Sequence, residues 1–183
     1  MDENIFLTEL KKYGIKNDIP NISEKNAQFL RDIIFISKSK NILEVWTANW
    51  YSTIQFALEV KKVQGSVTTI EFSLKSYNEA LVNFEKAWVV DYVEALYGNA
   101  IDIIPNLKKK YDFIFIDGMK KRSLDFFLLA EKKVKKWGII IIDDVIKFRN
   151  KMENFYEYLD EKKKTYHILP IDQDDGIMMI LNR

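Results

Sequence analysis

Leu43-Glu44-Val45-Trp46-Thr47-Ala48-Asn49-Trp50-Tyr51-Ser52-Thr53 reads as a strand, a loop and the opening of a helix. Asn41–Trp46 is short and mostly apolar, and Ser52–Lys61 follows with amphipathic spacing. The same alternation continues outward to the C-terminus. Further strands are expected at Ser66–Phe72, Val93–Gly98, Tyr111–Asp117, Gly138–Asp144, Tyr166–Ile171 and Gly176–Leu181. Helices are expected at Leu74–Ala87, near Ile101–Lys109, and at Ser123–Val134 and Lys147–Lys163. A run such as Ile139-Ile140-Ile141-Ile142 suits a parallel strand covered on both faces. Strand–helix alternation implies right-handed crossovers and a doubly wound α/β sheet. The residues around Gln173-Asp174-Asp175 are too few for a helical crossover, so the final strand should return antiparallel. Upstream, Glu3–Tyr13 and Ser23–Ser37 precede the alternation; the second places Ala27, Leu30, Ile33 and Ile34 at helical spacing behind a Ser23 N-cap.

The 183 residues suit one domain, with residues 1–38 a helical N-terminal segment and 39–183 the core. A net charge of +1 supplies no field that would select DNA or a membrane surface. The absence of cysteine excludes disulfides, thiolate metal sites and thiol catalysis, and suits a reducing cytoplasm. No apolar run reaches the roughly 18 residues of a membrane span, and Met1-Asp2-Glu3-Asn4 does not resemble a signal peptide. The expected address is cytoplasmic. Abundant Lys, Ile and Asn are compatible with an AT-rich gene.

Ligands of open parallel sheets bind beyond the carboxyl ends of the strands. Those ends carry acids here: Glu44, Glu71, Asp117 and the pair Asp143-Asp144. Any one of them could be loop solvation or a helix cap. Together they form a row of negative charge that a ligand or cation would offset. Glu71, at the end of the second strand, stands where an acid can accept both hydroxyls of a ribose, or where a surface acid simply precedes a helix. Asp117, Asp143 and Asp144 offer the hard oxygens that Mg²⁺ prefers, or the latter two cap the next segment. Lys120 follows Asp117 closely; beside a cation its pKa would fall and fit it as a general base, while in the run Lys120-Lys121-Arg122 it could be a solvated charge. The single His167 reads as structural, and no Ser–His–Asp order is present.

These residues resemble the cation-dependent O-methyltransferases, the group of catechol and caffeoyl-CoA O-methyltransferases and their bacterial relatives. Leu43-Glu44-Val45-x-Thr47-Ala48-Asn49-x-Tyr51-Ser52-Thr53 is similar to that family's L-E-[IV]-G-T-x-x-G-Y-S-T. The likeness continues through Thr68–Glu71, Gly98-Asn99-Ala100, Tyr111–Gly118, Gly138–Val145 and Asp175-Gly176-Ile177, and begins near Ile22-Ser23. It implies a Rossmann-like class I methyltransferase fold: seven strands, mostly parallel, the last antiparallel, with helices on both faces. It implies S-adenosylmethionine (SAM) as cofactor, contacted or closely surrounded by Glu44, Trp46, Thr47, Ser52, Glu71, Gly98, Ala100 and Asp117. It also implies Mg²⁺ or another divalent cation on Asp117, Asp143 and Asp144, and Lys120 as the catalytic residue near the reacting hydroxyl. The acceptor would be a small molecule or a modified tRNA nucleoside, and relatives commonly form homodimers.

The sequence departs from the family pattern in several places. Asp144 replaces the usual Asn, Met119 replaces a common acid, and the segment after Val145 is short. The largest departure is that all four tryptophans stand where relatives have glycine. Trp46 and Trp50 lie in the cofactor loop, Trp88 follows the helix after the second strand, and Trp137 precedes Gly138. Indoles at 46 and 50 would fill space needed by the amino-acid part of SAM. The pattern reads as UGA codons meaning glycine but translated as tryptophan. Two other readings remain beside the enzyme: a scaffold protein with a blocked pocket, and a nicotinamide-dependent oxidoreductase sharing strand, loop and ribose acid.

Overall fold

The computed structural model describes residues 3–46, 50–172 and 175–183. Two helices, α1 (Glu3–Lys16) and α2 (Glu24–Ile36), lead into β1 (Asn41–Val45), α3 (Tyr51–Lys61), β2 (Ser66–Glu71) and α4 (Leu74–Lys86). Then come β3 (Val93–Tyr97), α5 (Ala100–Ile103), β4 (Tyr111–Ile116), α6 (Ser123–Lys133), β5 (Val134–Ile142), α7 (Glu153–Glu161), β6 (Tyr166–Leu169) and β7 (Ile177–Leu181). The strands form one sheet in the order β3-β2-β1-β4-β5-β7-β6. Pairing is parallel from β3 through β5, and β7 lies antiparallel to both β5 and β6, as the short connection before it requires.

The two faces are sorted by the period of two. Ile42, Phe113, Phe115, Ile139, Ile141 and Ile177 pack into one core with side chains of α1–α4. Their chain neighbours Leu43, Ile114, Ile116, Ile140, Ile142 and Met178 pack into the other with α5–α7. The consecutive isoleucines therefore serve two cores at once, which is why the strands are apolar throughout. The strand order reverses at β1 and β4, so their carboxyl ends open the crevice in which ligands of such sheets bind.

Three elements differ from expectation in their bounds. The helix expected over Lys147–Lys163 is confined to Glu153–Glu161. The preceding residues turn because Ile146 and Lys147 donate their backbone N–H groups to Asp175 Oδ1 at 3.0 and 3.2 Å. Strand β5 begins at Val134, ahead of Gly138, and its register against β4 shifts between Tyr111 and Phe113. Position 138 sits against backbone: an added Cβ would lie 2.9 Å from the Lys135 carbonyl and 3.0 Å from that of Asp112. The helix expected near Ile101–Lys109 is a single short turn, α5, followed by a tighter turn containing Pro105. No helix of the described residues is long and apolar enough to cross a membrane.

Candidate functional site

The register pairs Glu44 of β1 directly with Thr69 of β2, on the face covered by α3. Glu44 is fully buried there and accepts hydrogen bonds from Ser52 Oγ at 2.5 Å, Thr69 Oγ1 at 2.7 Å and Thr53 Oγ1. Burial drives its carboxyl up from 4.5 to about 7 despite the three hydroxyl donors, and the Asp117 charge adds to the rise. Glu44 and Ser52 thus satisfy each other inside the protein. They tie the start of α3 to β1 and β2 on either side of the loop, rather than facing open space. Thr47 lies outside the described residues.

Glu71 ends β2, buried, with one carboxylate oxygen accepting the Ser73 N–H at 2.6 Å and its backbone carbonyl accepting Gly98 N–H at 2.9 Å. Gly98 follows β3 at φ 139°, a conformation that glycine adopts freely. Ala100 opens α5, and the Asn99 side chain accepts the Ile101 N–H. Sequence-predicted Glu71, Gly98 and Ala100 are therefore joined at the edge formed by β2 and β3.

The second group gathers at the ends of β4 and β5. Lys120 Nζ donates to Asp117 Oδ1 at 2.7 Å, forms an ion pair with Asp144 Oδ2 at 2.9 Å and reaches the Asp143 carbonyl at 3.4 Å. Burial pulls the ammonium down, but Asp117 and Asp144 pull harder, and its pKa stands above the ordinary lysine value. That is the opposite of the lowering a neighbouring divalent cation would impose. Asp143 is displaced well upward by burial and by Asp117, against the pull of Lys120, and Asp117 is raised by burial in the same way. These groups line an open cavity of about 1160 Å³ with Trp46, Asn26, Met119 and Asp175.

The carboxylates of Asp117, Asp143 and Asp144, the first and last bridged by Lys120, are as a donor set suited to a hard cation. Three buried oxygens in the cavity wall, Asn21 Oδ1, Asn26 Oδ1 and Asp175 Oδ2, have no hydrogen-bond partner, which fits a site with coordination capacity to spare. Among the described residues, no three acidic or histidine side chains converge as a ligand cluster in their present positions.

Asn26 is a site residue that the sequence reading did not single out. Its Nδ2 donates to Asp143 Oδ1 at 3.0 Å across 117 positions of chain. Nearby, Ser23 Oγ donates to Asp172 Oδ1 at 2.6 Å. The only signal was the resemblance at Ile22–Leu30; nothing local to α2 marks Asn26 as facing the strand ends. Trp46 and Trp50 flank the loop at φ 80° and 71°. Trp50 is 1% exposed and its Nε1 donates to the Ser76 carbonyl at 2.8 Å. Trp46 packs on Gly118, where an added Cβ would meet its Cε3 at 3.4 Å.

A doubly wound sheet with an acid ending β2 and a cavity carrying carboxylates past β4 and β5 is the arrangement in which α/β proteins bind ligands at the switch point. More narrowly, the chain belongs to the O-methyltransferase family, whose sequence model matches residues 1–175. It is 31% identical over 127 residues to a catechol O-methyltransferase of Mycobacterium tuberculosis, covering 69% of this chain and 57% of that protein. It is 32% identical over 131 residues to the catechol O-methyltransferase of Niastella koreensis, covering 69% and 59%. The chain therefore matches less than two thirds of the length of these relatives. The structure of an O-methyltransferase from Bacillus cereus in complex with SAH superposes with a TM-score of 0.86 at 28% identity, covering 97% of this chain and 90% of that one.

Proposed function

We propose that the chain is a SAM-dependent O-methyltransferase, assisted by a divalent cation, that methylates a hydroxyl of a small molecule or of a modified tRNA nucleoside. The reading is carried by the placement of Lys120, Asp117, Asp143 and Asp144 along the wall of one cavity at the carboxyl edge of the sheet, in a chain of this family. SAH in the Bacillus cereus relative supports the cofactor class.

SAM supplies a methyl group on a sulfonium, which passes to an acceptor oxygen as the carbon–sulfur bond breaks. A divalent cation supplies a Lewis acid that makes a neighbouring hydroxyl easier to deprotonate, and Asp117, Asp143 and Asp144 would hold it. The protein's own contribution is placement. Glu71 would accept the ribose hydroxyls at the end of β2. Lys120 Nζ would meet the acceptor oxygen and exchange its proton. Asn26 holds Asp143 from the α2 side, fixing one wall of the acceptor pocket.

Methyl transfer from labelled SAM to a catechol panel and to tRNA, with and without Mg²⁺, tests the reading. Lys120→Met should lower kcat by about 10²–10⁴-fold while SAM binding stays within a few-fold. A chain that binds SAM yet methylates no hydroxyl, or one that binds NAD instead, would refute it. The competing reading, a scaffold protein, rests on the indoles at 46 and 50, and absence of SAM binding by every variant would favour it.

A further inference from the structure

Nine non-glycine residues among those described have positive φ, and every tryptophan in the chain is one of them: Trp46 at 80°, Trp50 at 71°, Trp88 at 57° and Trp137 at 66°. Only a few per cent of non-glycine residues adopt such values, and for a bulky side chain the conformation is an outlier. Four of four by chance is an event on the order of one in a hundred thousand. The other five are Asp18, Lys38, Gln64, Asp144 and Lys163, all polar and none aromatic.

The local geometry at each position is the kind glycine serves. Trp88 is the first residue past the cap of α4: its N–H donates to the Glu85 carbonyl at 3.0 Å and the next, of Val89, to Phe84 at 3.1 Å. That pair of bonds is the helix-ending motif in which the left-handed residue is usually glycine. Trp50 precedes the first turn of α3 in a left-handed conformation and contributes no side-chain cap. Trp46 leaves β1 at the cofactor loop, where the backbone turns while still bonding to the Ile70 carbonyl. Trp137 sits within β5 immediately before Gly138.

Nor do the indoles share a use that would explain selecting tryptophan. Trp88 is 74% exposed and Trp137 70% exposed, so neither contributes a core. Trp50 is buried and Trp46 half-buried at the cavity. What the four have in common is the backbone, not the environment of the side chain.

We propose that the functional protein has glycine at 46, 50, 88 and 137, through UGA codons its source reads as glycine, and that the tryptophan form has an obstructed cofactor loop. The glycine assignment stands on backbone geometry and the codon on all four positions sharing one residue type; the obstruction rests on the SAM reading above. The test is peptide mass spectrometry of the protein purified from its source cells, with the codons sequenced. Glycine masses and UGA at all four positions are expected. A tryptophan mass, or UGG, at any one of them overturns the proposal. Calorimetry with SAM then compares the chain as written with a W46G/W50G/W88G/W137G variant. The glycine form should bind at least tenfold tighter, and equal affinity overturns the obstruction. If neither form binds, the SAM reading fails and the obstruction with it, while the mass measurement still decides the identity of the four residues.

Discussion

Glu44 is an acid sealed inside a sheet–helix interface, and that makes the protein's stability depend on pH in an unusual direction. Its carboxyl is pushed from 4.5 to about 7 by burial, the opposing donation from Ser52, Thr53 and Thr69 being too weak to compensate. The folded state therefore holds a proton that the unfolded chain gives up between these two values. Unfolding in that window releases a proton, so this residue's contribution to stability is complete below about pH 4.5 and is lost as pH rises toward 7. At about 1.4 kcal/mol for each tenfold difference in proton affinity, the separation corresponds to about 3 kcal/mol. Glu44→Gln keeps the size and a carbonyl acceptor, and removes the titration. Urea unfolding of both proteins at matched pH between 5 and 8 isolates the effect, because every other carboxylate is common to the pair. Glutamine should gain about 3 kcal/mol on the parent across that range, most of it below pH 7. A stability difference that is flat with pH, or that moves in favour of glutamate as pH rises, would show that the carboxylate is stabilised in place and that the burial argument is wrong.

Asp112 should behave with the opposite sign. Burial alone would raise it, but Lys135 at 2.7 Å and the Asn41 and Lys40 N–H groups at 2.8 and 3.1 Å hold it below the usual carboxylate range. Asp112→Asn should cost about 1–3 kcal/mol at neutral pH, measured by urea denaturation, and the cost should shrink as pH falls through the carboxylate range. At the two exposed tryptophans, W88G/W137G should stabilise the fold. Relief of left-handed strain is worth about 1–2 kcal/mol per residue, and the added flexibility of glycine returns about 0.5–1 of it. The pair should therefore raise Tm by a few degrees in calorimetry, at about 2–4 °C per kcal/mol for a chain of this size. An unchanged or lower Tm would count against strain at these positions.

How much of this was readable before the structure depends on the distance over which each residue is specified. The sheet was legible because its information is local. Two-sided burial makes Ile139–Ile142 apolar at every position, and the few residues between β6 and β7 admit only a reversal. The start of α7 departs from its expected place because a distant partner sets it. Asp175 captures the N–H groups of Ile146 and Lys147, and no property of Lys147–Met152 announces that. The site divides in the same way. Asp117, Asp143, Asp144 and Lys120 come from consecutive strand ends, and sheet order alone brings them together. Asn26 reaches Asp143 only because α2 folds back over the sheet edge, which composition and period do not encode. Glu44 had the right place but a different surrounding: a strand-end acid can face a ligand or a helix, and the register with Thr69 decides for the helix. The tryptophans reverse the usual relation, since the anomaly was visible in residue identity and the backbone supplied its cause. A left-handed φ is a demand made by the chain path, and that demand is the same whichever side chain occupies the position. The fold at these four positions therefore favours glycine, and the sequence supplies its largest side chain instead.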